Sequence, residues 1–121
     1  MKILLVEDNL KMRSFIKKMI EREIVTIEEF YECEDGSEAV ELYQKYQPDW
    51  VLMDIQLKTI DGLNATRQIF NLNPSAKVII VTQYDDKEYR QEARTIGVAG
   101  YVLKDELISI PKMLKEKNEI G

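Results

Sequence analysis

The sequence predicts an α/β fold: one five-stranded parallel sheet with helices packed on both faces. Three observations lead there. Short apolar runs recur along the chain, in "ILLV", "WVLM", "KVIIV" and "AGYVL", with a more polar strand candidate in "EEFYEC". Between them lie longer stretches whose apolar residues are three and four apart, the spacing of a helix with one buried face. The clearest runs are apolar at consecutive positions rather than alternating, as in strands covered on both sides. Strand–helix alternation repeated in this way implies a parallel sheet with right-handed crossovers.

Each element has its own justification. The first strand is Ile3 to Val6, inside "KILLVED". A helix over 9–23 follows, with Met12, Phe15, Ile16, Met19 and Ile20 on one stripe and Asn9 placed to cap it. The second strand falls within Glu28–Cys33, with limits blurred by its polar residues. "DGSEAVELYQKY" is a helix with the stripe Ala39, Val40, Leu42, Tyr43 and Tyr46, ended by Pro48. Trp50–Met53 is the third strand and Leu63–Leu72 the third helix, closed by the Asn and Pro of "NLNPSAK". "KVIIV" precedes a helix over Lys87–Ile96, with Gly97 as its left-handed terminator. After "AGYVL", Pro111 belongs in the first turn of a last helix that starts late, with Ser109 as its expected cap. Met12, Met19 and Met113 read as core packing. "KEKNEIG" reads as a solvated helix end or the start of a linker.

Composition narrows the function. A chain of 121 residues, 45% hydrophobic and 32% charged, is sized and composed for a single globular domain over 1–121. Its apolar runs are too short for a membrane span or a secretory h-region. One cysteine, Cys33, cannot make an internal disulfide, which fits a reducing cytoplasm. The formal charge of −5 argues against nucleic-acid binding by the bulk field of the chain. With no histidine at all, the commonest metal ligand and the usual acid–base catalyst are both missing.

The residues that end the apolar runs carry the functional signal. "ILLV" runs into Glu7 and Asp8, "WVLM" into Asp54, "VIIV" into Thr82 and "YVL" into Lys104. In a parallel sheet these positions share the carboxyl edge, where open α/β sheets bind ligands. Any one of them alone reads as a helix cap, a strand end or a surface lysine; together they are three carboxylates, a hydroxyl and an ammonium placed by one rule. Clustered carboxylates raise each other's pKa unless a cation sits among them. Hard oxygen ligands without His or Cys suit Mg²⁺. Such a set can carry a phosphoryl group, with Asp54 as nucleophile, Glu7 and Asp8 on the metal side, and Lys104 and Thr82 on phosphoryl oxygens.

On "LLVED", "VLMDI…DG", "VIIVT" and "GYVLK", the chain resembles the receiver domains of two-component response regulators over essentially its whole length. "GVAGYVLKDEL" is most similar to receivers of the NarL/FixJ type, which are attached to helix-turn-helix transcription regulators. The resemblance implies a flavodoxin-like (βα)5 fold with strand order 2-1-3-4-5. It implies a cytoplasmic switch, phosphorylated on Asp54 by a sensor histidine kinase. Mg²⁺ would be held by Glu7, Asp8, Asp54 and the backbone carbonyl of Gln56. It implies a surface of the fourth helix, fifth strand and fifth helix that reports to a partner, a possible homodimer through that surface, and DNA contact only through an output domain absent from this chain. The expected chemistry is Mg²⁺-dependent self-phosphorylation and autodephosphorylation, not enzymatic turnover of a separate substrate. Tyr101 reads either as a half-buried edge aromatic or, from the resemblance, as the aromatic that swings inward when Thr82 moves; the second is favoured.

The pattern departs from the family in two places. Lys58 stands where Pro is usual, which should loosen the loop after Asp54; the lysine itself reads first as a solvated side chain and second as a charge at the site mouth. Gln83 stands where a small residue is usual, and with Gln56 and Tyr84 it is expected to tune the lifetime of the phosphorylated form. The competing readings are a degenerate receiver that only docks or dimerises, and an Asp-nucleophile phosphatase. The filled acid set speaks against the first. Gln56, where a phosphatase would carry its second Asp, speaks against the second. Flavin binding is weaker still, because no phosphate loop follows the first strand.

Overall fold

The computed structural model describes residues 1–120, with side chains through Glu116. Five strands alternate with five helices: β1 (Lys2–Val6), α1 (Leu10–Glu23), β2 (Glu29–Cys33), α2 (Gly36–Tyr46), β3 (Trp50–Met53), α3 (Gly62–Leu72), β4 (Val78–Thr82), α4 (Lys87–Ile96), β5 (Gly100–Leu103) and α5 (Ile110–Ile120). The sheet order is β2-β1-β3-β4-β5, and every neighbouring pair is parallel. No helix among the described residues is long and apolar enough to cross a membrane.

Strand residues alternate between two cores, because successive side chains point to opposite faces. Ile3, Leu5, Trp50, Leu52, Ile79 and Val81 pack with Ile16 and Ile20 of α1 and Ile110 and Leu114 of α5. Leu4, Val6, Val51, Met53, Val78 and Ile80 pack with α2, α3 and α4 through Ala39, Tyr43, Leu63, Ile69 and Ala93. This explains the unbroken apolar runs: each strand feeds both layers. Met12, Met19 and Met113 lie against the first core, as expected.

Helix ends follow local chemistry. Asn9 caps α1 by accepting from the Met12 N–H (2.9 Å), and Gly97 ends α4 at φ 105°. Asp35, Asp61 and Asp86 cap α2, α3 and α4, each accepting an N–H three residues on. Two expectations need correction. Phe15 is 58% exposed. The buried face of α1 centres on Ile16 and Ile20, and at about 100° per residue Phe15 sits roughly 120° away from it. Ser109 does not cap α5: it lies in a 3₁₀ turn (Leu107–Ser109), and its hydroxyl donates back to the Glu106 carbonyl at 2.9 Å. The late start of α5 and the place of Pro111 in its first turn hold. The expectation of a solvated tail falls largely on residues 117–121, outside the described side chains.

Candidate functional site

The carboxyl ends of β1, β3 and β5 meet over one cavity of about 220 Å³, lined by Glu7, Asp8, Asn9, Asp54, Gln56, Gln83, Tyr84 and Lys104. Parallel pairing brings them together, since β3 sits between β1 and β4 in register. Carboxylate oxygens of Glu7, Asp8 and Asp54 all lie within 4.8 Å of one another. Glu7 and Asp54 are buried at 1% and 4% exposure, whereas Asp8 faces solvent. The ammonium of Lys104 bridges the two buried acids, 2.7 Å from Glu7 and 2.9 Å from Asp54 Oδ2. Asp54 Oδ1 accepts from the Ile55 N–H at 2.7 Å, so both oxygens of that carboxylate have a partner.

One ammonium shared by two buried carboxylates leaves negative charge in surplus. Burial pushes the Glu7 carboxyl above its usual range; Lys104 and the Asn9 N–H (3.1 Å) pull it down, and Asp54 adds to the rise. Burial alone would push Lys104 down, but its bonds to Glu7 and Asp54 outweigh that and hold it above its usual value. A divalent ion among these oxygens would relieve the surplus. The donor set fits Mg²⁺ in kind: carboxylate oxygens with an open, solvated side at Asp8 for retained waters.

Thr82 and Tyr101 are not in the cavity wall. Thr82 is fully buried, and its Oγ1 accepts from the Tyr84 N–H at 3.2 Å. The Tyr84 carbonyl in turn accepts from the Tyr101 hydroxyl at 2.7 Å. Arg90 lies 4.6 Å from the Tyr101 ring centroid and binds Asp85 at 2.7 Å. A continuous set of contacts therefore runs from the buried hydroxyl to the β5 aromatic through the backbone of one residue, Tyr84, in the β4–α4 loop.

Of the residues with expected rate effects, Gln56, Gln83 and Tyr84 all line the cavity. Lys58 does not; it is exposed, and its backbone pairs with Asp35. Sequence reasoning missed Asn9 as a cavity residue, having assigned it only as a cap. It also missed Arg13, whose Nη1 donates to the Glu7 carbonyl at 2.9 Å, and Arg90. Helical spacing carries a signal for Arg13, one turn after Asn9; nothing local marks Arg90. The lone thiol, Cys33, is buried and pushed up to about 12 by that burial, with Glu38 and Asp35 adding to the rise. It is an inert core residue.

Comparison with known proteins agrees with this geometry. Residues 3–115 match the family model described as the response regulator receiver domain. Over 103 residues the chain is 35% identical to the transcriptional regulatory protein DegU of Brevibacillus brevis, covering 85% of this chain and 43% of that protein. It is 36% identical over 102 residues to the chemotaxis protein CheY of Halobacterium salinarum, covering 84% and 82%. The structure superposes on a LuxR-family DNA-binding response regulator from Staphylococcus aureus with a TM-score of 0.89 at 25% identity, covering 97% of this chain and 98% of that one. The receiver domain of AraT from Geobacillus stearothermophilus gives 0.81 at 29% identity, covering 98% and 95%. Matched residues, shared sheet order and the acid cluster at the strand ends agree, and the chain belongs to the response regulator receiver domain family.

Proposed function

We propose that this receiver is a phosphorylation-controlled switch in which Asp54 accepts a phosphoryl group from a sensor kinase's phosphohistidine. The observation that carries the reading is the meeting of Glu7, Asp8 and Asp54 within 4.8 Å, with Lys104 spanning the two buried members. An Asp54 carboxylate oxygen attacks phosphorus, a P–O bond forms, and the P–N bond to the imidazole breaks. Glu7, Asp8, Asp54 and the Gln56 carbonyl would hold Mg²⁺, which when bound neutralises the incoming phosphoryl oxygens. Lys104 exchanges its contact with Asp54 Oδ2 for a phosphoryl oxygen while keeping Glu7. Thr82 turns its hydroxyl toward another.

That turn would free the Tyr84 N–H, and because the Tyr84 carbonyl accepts the Tyr101 hydroxyl, a shift of Tyr84 would be felt at Tyr101. The Thr82–Tyr84–Tyr101 contacts therefore support a route from the site to the face made by α4, β5 and α5. Inverting a two-state population from 1:99 to 99:1 needs about 5.5 kcal/mol of differential stabilisation. The bonds of the phosphoryl group to Lys104 and a divalent ion would have to supply it. The reporting face would serve a partner, a homodimer, or an output domain. The last would lie beyond this chain, which spans 43% of the DegU protein it matches. The setting is the cytoplasm, where such kinases present their phosphohistidine.

Incubation with Mg²⁺ and a small-molecule phosphodonor should add one phosphoryl group by mass, and Asp54→Asn should abolish it. Absence of modification, where a receiver of known activity is modified, would instead favour a docking module. Gln83, at the cavity wall, would restrict the attacking water. Gln83→Ala should change the dephosphorylation rate several-fold in a single-turnover decay, and an unchanged rate would remove Gln83 from the account.

A further inference from the structure

The loop after Asp54 carries the Gln56 carbonyl, yet Lys58 replaces the residue that would stiffen it. Contacts with α2 tie it down instead. Residues 58–60 lie against the first turn of α2. Gly36 is pressed so closely to the Ile60 carbonyl that a Cβ there would collide with it, and the Gly36 N–H reaches the Lys58 carbonyl at 3.5 Å. Thr59 sits at φ 65°, a left-handed conformation that β-branched residues rarely adopt. Surrounding contacts hold it there. Its hydroxyl accepts from the Ser37 N–H (3.3 Å) and the Ser37 hydroxyl (3.1 Å), and its own proton goes to the Lys58 carbonyl (2.6 Å). Asp35, the cap of α2, stands 3.5 Å away.

The other end of the loop is fixed separately. Ile55 is buried, its N–H binds Asp54 Oδ1, and its carbonyl accepts from the Gly62 N–H at 2.9 Å. Gln56 and Leu57 thus span two anchored points, Ile55 and Lys58. The direction of the Gln56 carbonyl depends on both anchors.

We propose that Thr59 is a positioning residue for the metal: its hydroxyl, clamped to Ser37 at the start of α2, holds the β3–α3 loop so that the Gln56 carbonyl faces the Glu7–Asp8–Asp54 cluster. The inference rests on the phosphoacceptor reading above. Groups that orient metal ligands typically change affinity by roughly 10–100-fold when removed. Thr59→Val keeps the side-chain shape and the backbone strain but loses the hydroxyl.

The test is Mg²⁺ affinity by titration calorimetry on the folded protein, with amide exchange in its metal-free form. Thr59→Val should weaken Mg²⁺ binding about tenfold, at the low end for such groups, and speed exchange at Gly36. Thr59→Ser, which restores the hydroxyl, should bind Mg²⁺ as the wild type does. The loss from Thr59→Val combined with Ser37→Ala should be less than the sum of the single losses, since both break one clamp. A Thr59→Val protein that binds Mg²⁺ like the wild type overturns this inference alone. A wild type that takes no Mg²⁺ overturns the phosphoacceptor reading, and this inference with it.

Discussion

Lys104→Ala should lose about 3 kcal/mol of stability at pH 8 in the absence of divalent ions, because removing one partner of a buried ion pair strands the other. Here it strands two. Glu7 and Asp54 are nearly inaccessible, and Lys104, itself 17% exposed, is the ammonium that both contact. The sign of the pH dependence follows from Glu7. Its folded pKa already lies above the ordinary value through burial, and losing Lys104 raises it further. The folded variant therefore binds more protons than the unfolded chain, and its stability falls as pH rises through the folded pKa of Glu7. The deficit should shrink from pH 8 to pH 5, because a falling pH favours the protonated form of Glu7, which needs no counter-charge. Mg²⁺ should also restore much of the loss, since a divalent ion supplies the missing positive charge. Urea unfolding at both pH values, with chelator and with Mg²⁺, measures all of this. A loss of equal size in every condition would mean that Lys104 contributes packing rather than charge.

Gly62→Ala should be nearly as damaging, by a different route. A Cβ at Gly62 would collide with the backbone carbonyl oxygen of Asp54. The opposing atom is main chain in a strand end packed on both faces, so it cannot swing aside as a side chain would. Relief requires α3 to retreat or the Asp54 peptide to turn. Overpacking of this kind costs about 1–3 kcal/mol, and a backbone clash belongs at the upper end. The functional effect should exceed the stability effect. Displacing the Asp54 peptide moves the carboxylate that Lys104 and the Ile55 N–H now hold. Phosphoryl uptake should therefore fall well below wild type even at temperatures where the variant is fully folded. Circular dichroism melting beside phosphodonor labelling separates the two effects; normal labelling in a folded Gly62→Ala protein would show that the close approach is dispensable.

Gly62 also shows how a sequence signal is read. "DG" at 61–62 is legible as a cap and a turn. That the glycine is needed because α3 starts against the Asp54 carbonyl is a contact between segments, absent from local pattern. The same "DG" at 35–36 begins α2, and its glycine admits the Ile60 carbonyl. Phe15 teaches the converse. Spacing put it on the α1 stripe, but the width and direction of a buried face depend on what packs there, and Ile16 and Ile20 alone face the sheet fully. Ser109 had the composition of a cap; the 3₁₀ turn before α5 redirected its hydroxyl.

What the sequence by itself determined was the layer plan and the chemical content of the site. Consecutive apolar runs require strands covered on both faces, and the polar residue ending each run must lie at the carboxyl edge once the strands are parallel. Glu7, Asp8, Asp54, Thr82 and Lys104 follow from that rule alone. Only the tertiary structure decided how they are wired. Lys104 reaches both Glu7 and Asp54 because β5 and β1 lie on opposite sides of β3 in the sheet. Thr82 and Tyr101 are joined through the backbone N–H and carbonyl of Tyr84, and Arg90 settles on that ring from a helix. The loop with Lys58 is held by Thr59 and Ser37, residues 22 positions apart. Pattern along a chain encodes which face a residue takes, because that is set by the local backbone period; it does not encode which distant group it meets there, because that depends on register, crossing and the exclusion of everything else that could have filled the space.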